Sequence, residues 1–361
     1  MSKVATWMLT GAVGMGVAAS ASAQSSVTLY GSLDAGVAYV SNVGGSTKYA
    51  AENGNTQPDR WGLMGVEDLG DGWSALFRLE NGFSTITGAA SSATTLFNRS
   101  SYVGLSDAPV GTLTLGHQTP FTFDVLGPLS TAYLAQSWYA FHPGNLDQLA
   151  DTSVVPYNNS VKFRSASFGG FQLGAMYGFG NTTDFSYGSN LGFEANYKNG
   201  PLQAAVTWAN QHNTTSSLST IGFTGNFQGQ PAATYAPDKQ ETMGAGLGYT
   251  LGPVLMHALY TRVNFESAGQ SATYQSTDVG ANWHTNPFNL IAGGVANTTF
   301  AGRRWTQFEL GDTYSLSKST QVYANVLYED GNSQTKAALF TAGVASGRNQ
   351  VAVVAGVHHS F

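Results

Sequence analysis

Few side chains in this 361-residue sequence are placed for covalent chemistry. It contains no cysteine, which removes thiolate nucleophiles, disulfide frameworks and thiolate metal sites. Its histidines (117, 142, 212, 257, 284, 358 and 359) include one adjacent pair and no i,i+4 pair, so no convergent metal site is expected. Serine is abundant, yet no G-x-S-x-G elbow presents one as a nucleophile. Gly244-Ala245-Gly246-Leu247-Gly248 lies in an alternating stretch with no helix behind it, unlike a phosphate loop. The expectation is therefore no enzyme, no cofactor and no metal. What remains is fixed charge. Arg60, Arg78, Arg99, Lys162 and Arg164 stand in or beside alternating stretches, and Asp124, Asp147 and Asp151 stand in the long unpatterned stretch 118–157. The chemistry open to opposed fixed charges is electrostatic: they bias ions by sign and orient dipolar solutes.

The elements that must hold these charges are legible from composition and period. Charged residues make up 10% of the chain, against roughly 25% in a soluble domain. The net charge of −6 argues against a nucleic-acid partner, and 42% hydrophobic residues argue against disorder. No run of about 20 apolar residues follows the N-terminal segment. That segment reads as an export signal: Lys3, an apolar stretch from Val4 to Ala19, then Ala21-Ser22-Ala23, giving a signal over 1–23 and a mature domain over 24–361.

Period-two alternation dominates the rest. From Val27 to Val37 the odd positions are apolar or small and the even ones include Thr28, Ser32 and Asp34. Trp73, Ala75, Phe77 and Leu79 alternate with Ser74, Leu76, Arg78 and Glu80, and Val322 to Tyr328 and Val351 to Phe361 behave alike. Turn residues at 70–72, 107–111, 167–170, 199–201, 251–253, 286–287 and 317–319 mark short connections. Longer polar segments fall at 41–59, 84–96, 118–157, 180–189, 210–239, 264–274, 300–303 and 330–349. Seven short turns and eight long loops separate sixteen strands, the layout of an antiparallel outer-membrane β-barrel.

In a barrel one face of each strand meets lipid, where Lys or Arg costs about 2–4 kcal/mol at the midplane, and closure satisfies every backbone polar group. Parity then sends Arg60, Arg78, Lys162 and Arg164 inward, opposite Trp61, Phe77, Val161 and Phe163. Arg99 shares the parity of Val103 and Leu105, and is expected inward because its exposure to lipid would cost more than turning two apolar groups in. Trp61, Trp73, Tyr102, Tyr197, Trp208, Tyr249, Trp283 and Tyr328 are the expected interface girdles.

Ser26-Val27-Thr28-Leu29-Tyr30-Gly31, Arg60-Trp61-Gly62 through Glu67-Asp68-Leu69-Gly70, Leu79-Glu80 and Phe97-Asn98-Arg99 recur in a familiar order. Tyr102 to Ser106, Gly111 to Gly116, Asn158 to Phe163 and Leu316 to Thr320 follow. With them the chain resembles the general porins of Gram-negative bacteria, in particular the trimeric type of the Neisseria, Bordetella and Burkholderia lineages. The resemblance spans the whole mature chain. It implies a water-filled channel passing ions and small hydrophilic solutes, and a homotrimer set in outer-membrane lipid and lipopolysaccharide. It also implies that the third loop, 118–157, folds into the barrel and sets Asp124, Asp147 and Asp151 against the five cations, although each Asp is equally readable as a turn or cap residue. Phe361 matches the terminal aromatic read by the barrel-assembly machinery.

Three positions depart from the family pattern: His117 and Met64 where Arg or Lys is frequent, and the His358-His359-Ser360-Phe361 ending. All three are expected to lower lumen charge and to weigh against an anion preference. Tyr133, Trp138, Tyr139 and Phe141 would suit a substrate-specific channel for sugars or aromatic acids, and the long loop 210–239 would suit an adhesin.

Overall fold

A computed structural model describes residues 26–151 and 157–361, so the expected export signal over 1–23 lies outside the described residues. The first eight barrel strands are β1 (Ser26–Val43), β2 (in two parts, Ser46–Asn53 and Arg60–Gly70), β3 (Trp73–Gly82), β4 (Ser100–Asp107), β5 (Gly111–Gln118), β6 (Tyr157–Ser165), β7 (Phe171–Gly178) and β8 (Asn190–Asn199). Then come β9 (Leu202–Gln211), β10 (Lys239–Leu251), β11 (Val254–Ser267), β12 (Gln270–Asn286), β13 (Asn289–Phe300), β14 (Arg303–Ser315), β15 (Thr320–Gly331) and β16 (Asn349–Ser360). Each pairs antiparallel with its chain neighbours, and β1 pairs with β16 from Ser32↔Ser360 to Val40↔Ala352, which closes the ring. Gly31 and Phe361 seal the seam with reciprocal backbone hydrogen bonds of 3.0 and 3.1 Å. Closure leaves no open edge, as hydrocarbon requires.

The faces are inverted relative to a water-soluble barrel. Leu29, Val103, Leu173, Val279 and Leu310 are exposed, whereas Ser32, Asp34, Thr207, Asp278 and Asn325 are buried. Alternation thus places apolar side chains outside and polar ones inside, where lipid and water respectively meet them.

All seven short turns fall where turn residues cluster. Three of the eight long loops are shorter than their polarity suggests. β11 and β12 run through most of 264–274 and turn on Ala268-Gly269, and 300–303 reduces to the turn Ala301-Gly302. Most of 41–59 is strand as well. These strands extend past the apolar band, and polar side chains there do not interrupt backbone pairing.

The break in β2 has a specific cause. Its first part pairs with the outer half of β1 and its second with the inner half. Between them residues 54–59 leave the wall, pinned by buried carboxylates. The Asp34 amide donates to Asp59 at 2.7 Å, the Thr56 amide to Asp34 at 2.8 Å, and the Tyr323 hydroxyl to Asp34 at 2.6 Å.

The connection after β5 carries short helical turns at Thr122–Leu126, Gly127–Leu129, Thr131–Leu134, Trp138–Ala140 and Pro143–Asn145. Its Leu126, Leu129, Tyr139, Phe141 and Leu149 are buried. It lies along the inner wall formed by β10 to β15. Asp278 accepts from the Thr131 amide at 2.7 Å, Asn282 donates to the Leu134 carbonyl at 2.5 Å, and Asn325 donates to the Ala135 carbonyl at 3.1 Å. Gly244 and Gly246 make room for it: a Cβ there would stand 2.5 Å from Leu126 Cδ1 or 2.8 Å from Leu129 Cδ1. That wall is opposite β3 to β6, which carry most of the cations.

Candidate functional site

The inner face of β2, β3 and β6, with Arg99 just before β4, presents four arginines and a lysine, and the third loop presents carboxylates toward them. Two ion-pair groups result. In the first, Glu80 on β3 is the hub. Arg78 Nη2 lies 2.5 Å from its Oε2, Arg99 Nε lies 2.7 Å from its Oε1, and Arg60 Nε lies 3.8 Å away. Arg99 also reaches Asp151 at 2.7 Å. Tyr30 on β1 donates its hydroxyl to Glu80 at 2.7 Å and accepts from Arg78 Nε at 2.7 Å. In the second group, Lys162 on β6 pairs with Asp124, and Arg164 lies 3.4 Å from Asp124 and 2.6 Å from Glu194 on β8. The Phe121 ring sits beneath both cations, 5.0 Å from Lys162 Nζ and 5.7 Å from the Arg164 guanidinium carbon, in cation–π range.

Arg78, Tyr102, Thr114, Phe123, Asp124, Tyr133, Lys162 and Arg164 line a cavity of about 410 Å³. Lys48, Glu52, Asp59, Arg99, Trp138 and Asp151 line a second, of about 510 Å³, on the long-loop side. Arg60, Arg99, Tyr133, Trp138 and Asp151 border the narrow space between them.

The five cations expected from the sequence thus converge with Asp124 and Asp151. Asp147 does not join them. It is fully buried on the opposite wall, 2.6 Å from His142 Nδ1 and accepting from the Thr261 hydroxyl at 2.6 Å. His142 Nε2 in turn faces Asp278 at 3.7 Å. Burial alone would push the His142 imidazole down, but the Asp147 carboxylate, with Asp278 behind it, holds it protonated, its pKa pushed up to about 10. Asp147 therefore anchors the third loop.

Arg99 points inward for a different reason from the expected one. Val103 and Leu105 remain exposed on the outer face, and Arg99 precedes the first residue of β4, so strand parity does not bind it. Two carboxylates of the site, Glu80 and Glu194, were not singled out from the sequence. Glu80 was readable, because it shares the parity of Arg78 two residues away. Glu194 had no local signal, since its partner Arg164 lies two strands away on β6.

Four sequence expectations need correction. Tyr102 is not in a girdle: it pairs with Arg78 across the strands and lines the first cavity. His117 shares the outer face of Leu113 and Leu115, pairs with Ser101 and bonds Asn158 at 2.7 Å, so it does not lower the lumen charge. Of the two histidines of the ending, only His358 faces inward, against Ser32 at 2.9 Å, while His359 meets Thr320 outside. Met64 does face the lumen, opposite Arg78. Tyr139 and Phe141 are buried within the third loop, so that of these four only Tyr133 and Trp138, together with Phe123, give it an accessible aromatic lining.

Comparison with known proteins extends over nearly the whole chain. An outer membrane porin of Bordetella pertussis is 28% identical, with 88% of this chain and 92% of that protein covered. Outer membrane porin protein 32 of Delftia acidovorans is 29% identical, with 94% and 95% covered. Among solved structures, an anion-selective porin from Comamonas acidovorans superposes with a TM-score of 0.78 at 26% identity, covering 94% of this chain and all of the other. The family model for Gram-negative porins matches residues 9–334, so this sixteen-stranded barrel belongs to the Gram-negative porin family and is a channel of the outer membrane.

Proposed function

We propose that the protein is a general diffusion porin whose passage favours anions and small hydrophilic solutes. One observation carries the sign: within the ion-pair groups, water reaches the arginines more than it reaches the carboxylates paired with them. The side chains of Arg78, Arg164, Arg60 and Arg99 are 37%, 32%, 22% and 9% exposed, against 3%, 0% and 4% for Glu80, Glu194 and Asp151, while Lys162 and Asp124 are nearly equal at 12% and 14%. A passing ion therefore meets guanidinium surface, with the balancing charge set behind it in lower dielectric. The third loop supplies Asp124 and Asp151 to these groups and, on this reading, is the constriction. The likeness to an anion-selective porin supports the same sign.

Assembly as a homotrimer, cleavage of the signal over 1–23, insertion by the barrel-assembly machinery through Phe361 and residence among lipopolysaccharide belong to the same proposal. Passage is down gradients, without turnover.

The test is the reversal potential of single channels in a salt gradient. The wild-type potential should carry the anion sign. Replacing Arg60, Arg78 and Arg164 with Gln should shift it toward zero or to the cation sign. An unchanged potential would sink the assignment. The second reading, a solute-specific channel, draws on Tyr133 and Trp138 beside Arg99 and Arg60 at the narrow space. Block of the current by one aromatic acid, and not by acetate at equal charge, would favour it.

A further inference from the structure

Between the third loop and the long loop 210–239 lies a cavity of about 240 Å³ that holds no member of the ion-pair groups. Its walls come from residues 144–148, residues 214–220, Gln240 at the start of β10 and Phe340. None of its lining residues carries a charge, whereas charged side chains line both larger cavities. Thr214, Thr215, Ser216, Ser217 and Thr220 supply hydroxyls, each able to donate and to accept. The third loop supplies Gln148, which is only 6% exposed and whose Oε1 has no hydrogen-bond partner among the described residues. Its Nε2 donates to Gln211 Oε1 at 2.9 Å, so the amide is held in place with its acceptor open. A buried acceptor in that state is costly until a donor meets it.

We propose that this cavity binds a single neutral monosaccharide ring. The hydroxyls of such a ring would bond the serines, the threonines and Gln148, and its C–H face would meet Leu146 and Phe340. The walls are fixed without a ligand. Phe340 has its ring centroid 6.0 Å from those of both Trp138 and Phe141. Leu218 and Ile221 are fully buried beside Leu146 and Tyr235, and the Ser216 amide donates to the Tyr235 carbonyl at 2.7 Å. Gly144 permits the close approach of the two loops: its φ is +71°, and a Cβ there would stand 2.9 Å from Ile221 Cγ2. A preformed pocket spares the ordering cost of binding. A charged solute entering it would lose hydration and find no opposite charge, a penalty that a neutral ring escapes. The volume lies below the roughly 300–1,000 Å³ of sites for larger ligands, which limits the occupant to one ring. This site is additional to diffusion through the channel and does not depend on the sign of its ion preference.

The test is saturation-transfer NMR on the intact folded protein, in micelles of a detergent without a sugar headgroup, titrated with methyl α-glucoside. The wild type should give a saturable signal. Methyl α-glucuronide, the same ring with a carboxylate, should neither give that signal nor displace the neutral sugar. Gln148→Leu removes the open acceptor. Thr214→Val/Thr215→Val removes two hydroxyls from half-buried and exposed positions while keeping side-chain shape, so the fold is retained. Each variant should bind about five-fold more weakly or worse, the worth of one neutral hydrogen bond. No saturable signal from the wild type, equal binding of the glucuronide, or wild-type affinity in either variant would each overturn the proposal.

Discussion

Glu80 governs more of the passage than any of the arginines around it. It is buried and accepts from Tyr30 while three guanidiniums, from Arg60, Arg78 and Arg99, lie within 4 Å. A carboxylate so placed stabilises its neighbours and also cancels part of their field. Each arginine has a second partner: Gln57 for Arg60 at 2.7 Å, Tyr30 for Arg78 and Asp151 for Arg99. Glu80→Gln should therefore leave the cluster assembled but one unit more positive. The expected outcome is a reversal potential moved further toward the anion sign, with a loss of roughly 1–3 kcal/mol in barrel stability for the missing charged acceptor. A shift toward cations on that substitution would show that Glu80 does not face the permeating ion's field. At this scale the sequence was legible wherever alternation was regular, as for Arg60, Arg78, Lys162 and Arg164. Arg99, expected inward, points there because it lies just outside a strand, and the pattern did not reach Asp147 or Glu194, whose partners are set by tertiary packing. Parity assigns a face and is silent about what stands opposite.

The third loop is held by geometry that its own sequence does not display. Its apolar residues occupy wall space vacated by Gly244 and Gly246, in a glycine-rich stretch that in isolation reads as no more than a strand able to coil. Its polar anchors are the Thr131 amide on Asp278 and the His142–Asp147 pair, with Thr261 completing the set. His142 is raised from 6.5 to about 10, the direction of a cation that gains partners on folding. Its contribution is therefore fully present below about pH 6.5 and is lost as pH rises through about 10, when two carboxylates are left facing an uncharged ring. Asp147 and Asp278 face His142 from the loop and from β12, and the other titratable groups beside them are Tyr274, which donates to the Pro143 carbonyl at 3.2 Å, and His257, 3.5 Å from the Thr131 hydroxyl. Single-channel recordings at rising pH should show the open current steady at pH 7 and increasingly interrupted above pH 10. The His142→Asn variant should be interrupted at pH 7 already. A variant as quiet as wild type at neutral pH would remove the pair from the loop's anchorage.

Over the whole molecule, charge follows the solvent each surface meets, and the total charge describes none of them. The formal −6 would suggest a cation channel if spread evenly. Instead five cations and four carboxylates, Glu80, Asp124, Asp151 and Glu194, meet at one level of the lumen, and the cations are the more accessible. Many of the remaining acidic residues stand at strand ends, in turns or in loops, such as Asp68, Asp107, Asp71 and Asp184. The two possibilities differ in range. Acidic groups at the mouths act through water over the Debye length, about 10 Å at 0.1 M and about 3 Å at 1 M salt. The lumen cations act at contact on any ion that passes, so screening weakens them less. Reversal potentials measured at a fixed gradient ratio, from 0.03 to 1 M mean salt, separate the contributions. Anion preference should persist at 1 M, because it arises where an ion touches guanidinium. At low salt, mouth carboxylates should reduce it, since they repel the same anions before entry. Anion preference that is strongest at low salt and gone at 1 M would place its source in the diffuse field of the surface, and the converging arginines would then be structural.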